Sequence, residues 1–89
     1  MTDSLLRIEA ARSGAPTLLW RGRHLLSAYD PEKEAERLVS GAVPEGTSVV
    51  VILGVGLGHH AAAAARRGAR VIVVERRAEM MDAARRDGV

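Results

Sequence analysis

The 89-residue chain has no cysteine and no phenylalanine, and it carries a single Trp and a single Tyr. Without cysteine there is no disulfide framework and no thiolate metal site, which fits a reducing compartment. With aromatics at 2%, alanine supplies much of the 47% hydrophobic fraction. Alanine buries little area, so the core is expected to be thin and weak as a lone unit. No apolar run approaches the ~18 residues of a membrane span, and the polar start Met1-Thr2-Asp3-Ser4 has no signal-peptide pattern. The default compartment is the cytoplasm, with no membrane partner. A dominant charge is also missing: 13 Lys+Arg against 11 Asp+Glu give a formal net charge of +2, with the signs interspersed. A nucleic-acid surface wants a contiguous basic stripe with stacking aromatics, and neither is present.

What the sequence does contain is ordered. Residues 4–11 (SLLRIEAA) read as a short strand, Ser13 to Pro16 as a turn, and Thr17 to Trp20 as a second strand. Arg21-Gly22 makes a tight turn into a third strand, Arg23 to Leu26, completing a small antiparallel hairpin or meander. Asp30-Pro31 opens a helix, because the carboxylate caps free amides and proline suits the first helical position. That helix is expected to run to about Ser40, with Gly41 suited to its end and a loop from Ala42 to Thr47. These elements make up a first segment, residues 1–47.

Residues 48–89 change character. Ser48 to Leu53 (SVVVIL) is a β-branched run, as a parallel strand covered on both faces would have. It enters Gly54-Val55-Gly56-Leu57-Gly58, then an alanine-rich helix to Arg67 stopped by Gly68. Arg70 to Val74 is the next strand, followed by Glu75 and a helix from Arg77 to Arg86, with Met80, Met81 and Ala84 as its core face. The fold class is α/β: an N-terminal hairpin or meander plus helix, then the first βαβα of a Rossmann-like parallel sheet. Two parallel strands are fewer than such a sheet normally has. The sequence therefore reads as part of a longer protein, or as one that completes itself by self-association.

Gly54, Gly56 and Gly58 stand where a strand turns into a helix. There, glycines allow the turn, a close backbone approach to a ligand, and tight helix packing. The helix start offers free amides and partial positive charge. Glu75, 21 residues after Gly54, stands at the tip of the second strand, where a carboxylate can accept from ribose hydroxyls. Gly54, Gly56, Gly58 and Glu75 are thus the candidate residues for a nucleotide or nucleoside ligand. The dinucleotide pattern is not met, because His59 occupies its last position. His59 and His60 point about 100° apart on a helix and have only His24 for company, so no metal site is expected. They read as an ordinary first helical turn, with donation by one of the pair to a ligand phosphate or carboxylate as the alternative. Ser4, Ser13, Ser27, Ser40 and Ser48 stand in no nucleophile motif, so no catalytic residue is assigned.

Two family resemblances carry these residues further. VVVILGVGLG with VIVVERRAEMMDAARRDG resembles the first motifs of class I S-adenosylmethionine-dependent methyltransferases, although Ile52 stands where that family usually has an acid. The second resemblance spans about residues 13–75 and is similar to the N-terminal region of the motility-associated-factor family of flagellin glycosyltransferases. Ser27, Tyr29, Asp30, Pro31, Glu34, Ala35 and Glu36 match its Ser-x-Tyr-Asp-Pro segment, and Gly54, Gly56, Gly58 and His60 match its glycine loop. This resemblance implies the non-catalytic N-terminal part of a transferase that moves a CMP-activated nonulosonic acid to Ser or Thr of flagellin. The two resemblances imply different cofactors, a nucleotide sugar or S-adenosylmethionine. A third alternative is a ligand-free structural or interaction module.

Overall fold

The computed structural model describes residues 5–88. The chain is mixed α/β, with a three-stranded antiparallel sheet followed by a two-stranded parallel one. The first sheet has the order β1 (Leu6–Ala10), β2 (Pro16–Trp20) and β3 (Arg23–His24). Arg21 and Gly22 both have positive φ, at 52° and 78°, as a two-residue hairpin turn of this hand demands. The third strand is shorter than its expected extent to Leu26. Leu25 still donates to the Leu18 carbonyl, but Leu26 is already drawn into the core.

Helix α1 (Pro31–Ala42) is capped as its sequence indicates: the Asp30 carboxylate accepts from the Lys33 amide at 3.0 Å. It does not stop at Gly41. The helix passes through that glycine and ends where the Val43 amide returns to the Val39 carbonyl, with Pro44 next. The parallel strands β4 (Val49–Leu53) and β5 (Arg70–Val74) pair in register from Val49 opposite Arg70 to Leu53 opposite Val74. Between them lie a 3-10 turn (Gly56–Gly58) and helix α2 (His59–Arg66), and after them comes α3 (Ala78–Asp87).

Two apolar clusters hold the molecule, and both draw on residues 1–47 and 48–89. Leu18 and Leu26 pack with Leu57 and Ala83, flanked by Leu6, Ile8 and Met80. Ala35 and Val39 of α1 pack with Ala63 and Ala64 of α2, flanked by Val43, Val50 and Val71. The alanines allow the helices to approach closely, and Glu36 and Arg66 bridge the same two helices at the surface. On α3, Ala83 is the buried residue, while Met80, Met81 and Ala84 are half-buried.

The parallel sheet departs from its expectation of cover on both faces. Along β4 and β5 burial alternates, with Val50 and Val71 packed toward the alanine cluster. Val49, Val51, Leu53, Ile72 and Val74 face outward and are at least 49% exposed. The β-branched run is compatible with two covered faces, but among the described residues only one is covered.

Candidate functional site

The glycine turn grows out of β4. Gly54 continues the sheet by donating to the Val74 carbonyl at 2.8 Å, and then the chain reverses. Gly54, Gly56 and Gly58 have φ of 94°, 44° and 85°. A side chain at Gly54 would meet nothing within 4 Å, so glycine is needed there for its backbone and not for space. Gly58 is the left-handed residue immediately before α2. The first amides of α2 have no intrahelical acceptor, and no side chain caps them.

Glu75 is locked to this turn. One carboxylate oxygen accepts from the Val55 amide and the other from the Arg77 amide, each at 2.9 Å. The Arg77 amide is the largest cause of a carboxyl pKa held below its ordinary value; burial opposes it, and the Val55 amide adds to the lowering. An ionised carboxylate has about four acceptor positions, and the Arg76 amide also lowers the pKa beside those of Arg77 and Val55, so the backbone takes most of them and leaves room for a single ligand hydroxyl. The structure thus brings Glu75 to the Gly54–Val55 corner, where it braces the turn across both strand tips.

Two residues of the loop do work that sequence reasoning did not assign. Leu57 has a positive φ of 57° although it is not glycine, and its side chain is 1% exposed. Burying a leucine is worth about 1.5–3 kcal/mol, enough to offset roughly 1–3 kcal/mol of backbone strain. Leu57 pins the turn under the first sheet. His59 is 2% exposed, and its Nε2 lies 2.8 Å from the Pro16 carbonyl of β2. A carbonyl only accepts, so Nε2 carries the proton and Nδ1 is left buried without a partner among the described residues. The expected ordinary first turn is, at His59, a tie between α2 and the first sheet. The apolar Leu57 between two glycines was the available signal; nothing in sequence separated His59 from His60.

His60 is half-buried and stands on the wall of a groove of about 550 Å³, together with Gly54, the residues of β4, and Leu38, Val43 and Pro44. Among the described residues it is the only titratable side chain on that wall. Gly56, Gly58 and Glu75 lie off the groove, so only Gly54 of the four candidate residues borders it. Away from the groove's lining residues, Arg77 lies over the Trp20 ring at 5.1 Å.

The Ser-x-Tyr-Asp-Pro segment forms a compact hydrogen-bonded knot. The Ser27 hydroxyl accepts from the Tyr29 and Asp30 amides, both at 3.1 Å. Glu34 accepts from the Ser27 amide at 2.9 Å, and the buried Thr17 hydroxyl donates to the Ser27 carbonyl at 2.8 Å. These bonds seat α1 against β2. Among the described residues no group of three or more His, Asp or Glu is arranged to hold a metal ion. No helix among them is long and apolar enough to cross a membrane. Compared with protein-family models, curated proteins and solved structures, the chain gives no match in any of the three.

Proposed function

We propose that the chain holds a nucleoside or nucleotide at its glycine turn. In this reading it is the N-terminal, non-catalytic part of a transferase that moves a CMP-activated nonulosonic acid to Ser or Thr of flagellin. The observation that carries the ligand part is the Glu75 brace: an ionised carboxylate at the tip of β5, bonded to the Val55 amide within the turn. It leaves an acceptor position for a ribose hydroxyl beside the amides that open α2. The resemblance over residues 13–75 supplies the donor class and the acceptor. The paired Ser27–Glu36 and Gly54–His60 motifs support it over the methyltransferase reading, because Ile52 provides no acid before the first glycine.

The test is a titration of the chain with CMP, a CMP-activated nonulosonic acid and S-adenosylmethionine, followed by calorimetry and by the fluorescence of its single Trp. Trp20 stacks on Arg77, two residues beyond Glu75, and so reports on this corner. The expected outcome is saturable binding of the CMP compounds and a loss of affinity in Glu75→Ala. Binding of S-adenosylmethionine alone would replace this reading with the methyltransferase one. No binding of any of the three would leave a structural module.

A further inference from the structure

The open face of the parallel sheet is a feature that the nucleotide reading does not use. Its six positions form a two-by-three array, with Val49, Val51 and Leu53 opposite Arg70, Ile72 and Val74. The five apolar members are exposed by 49%, 56%, 81%, 49% and 50% in the order Val49, Val51, Leu53, Ile72 and Val74. A strand face turned to water ordinarily alternates to polar side chains, and this one does not. Arg70 at one corner is its only charged residue, and it carries no carboxylate.

We propose that this face is a self-complementary docking surface on which a second copy of the chain stacks, sheet against sheet. If every exposed part of these five side chains is covered, on the order of 400–500 Å² per copy, a pair buries at most about 800–1,000 Å², which is the range of weak, concentration-dependent association. The single arginine fixes the arrangement. With the two-fold axis midway between the two sheets, parallel to them and running across the strands, Arg70 of each copy lies over the far end of the other's strands. The two guanidinium groups are then offset by about 13 Å along the strand direction, from four steps of ~3.3 Å. Its aliphatic stem covers apolar surface while the charge stays in water. The opposite arrangement, with strands running the same way, brings the two arginine ends together and is disfavoured. Two such faces close on each other and leave no further apolar face of this kind, so stacking through this face stops at two.

The experiment is sedimentation velocity on the full chain from about 5 to 500 µM, with wild type, Leu53→Lys, Ile72→Lys and, as the off-face control, Leu25→Lys at an exposed position next to the first sheet. Wild type and the control are expected to shift from monomer toward dimer across the range. Both face variants are expected to remain monomeric at the top concentration, with unchanged far-ultraviolet circular dichroism. Leu53 is 81% exposed, so lysine is accommodated there without disturbing packing. A wild-type chain that stays monomeric throughout, or assembles beyond a dimer, overturns the proposal. So does a dimer that survives Leu53→Lys.

Discussion

At the scale of single residues, the loop is held by contacts of unequal strength. His59 and His60 are neighbours in sequence, yet one is buried against the Pro16 carbonyl and the other stands at the mouth of a groove. Replacing His59 by alanine removes a hydrogen bond and opens a cavity, and a loss of about 2–4 kcal/mol is expected in urea unfolding. His60→Ala is expected to lie within about 0.5 kcal/mol of wild type, as surface changes usually do. Equal effects would mean that the tie to β2 is not formed. Glu75 provides a second handle. Its carboxyl pKa is lower folded than unfolded, so its stabilisation is present above the unfolded value and is lost as pH falls through the folded value. Between about pH 6 and pH 3, wild type is therefore expected to lose more stability than Glu75→Gln, which has no charge to titrate. Parallel pH profiles for the two proteins would contradict the brace.

At the scale of elements, most of the fold was legible because local chemistry decides it. The Asp30-Pro31 start, the Arg21-Gly22 turn and the two β-branched runs each carry their own signal, and each forms where expected. The misjudged boundaries are those set by tertiary packing. Leu26 leaves its strand because the core takes its side chain, and α1 continues through Gly41 because Val39 and Val43 pack in the cluster that holds Ala63 and Ala64 of α2. The capping bond offers a direct measurement: Asp30→Ala is expected to lower stability by about 1 kcal/mol, and Asp30→Asn by much less. At the turn, Gly54→Ala meets no steric obstacle but places a side chain at a φ of 94°. A loss of about 1–2 kcal/mol is expected from backbone strain alone, read from thermal or urea unfolding. No loss at all would mean that the turn relaxes freely. Of the candidate site, the glycines and the distant acid were readable from spacing. That Glu75 would spend most of its acceptor positions on backbone amides was not, since it depends on where β4 and β5 end relative to each other.

At the scale of the whole molecule, two small clusters that both join residues 1–47 to residues 48–89 replace a single large core. Their content is mainly leucine and alanine, so each contributes modestly, and the open face of the sheet remains outside both. The glycine turn sits where these parts meet: Leu57 enters the first cluster, α2 builds the second, and Glu75 ties the strand tips. A ligand held there by the folded chain alone is expected to stabilise it by mass action. The most direct measurement is the calorimetric titration of CMP into wild type and Glu75→Ala. Saturable binding by wild type, with affinity reduced at least tenfold in the variant, is the result expected. Absence of binding by wild type, or equal affinity in the two, would contradict the assignment of the turn and Glu75 as a nucleotide site.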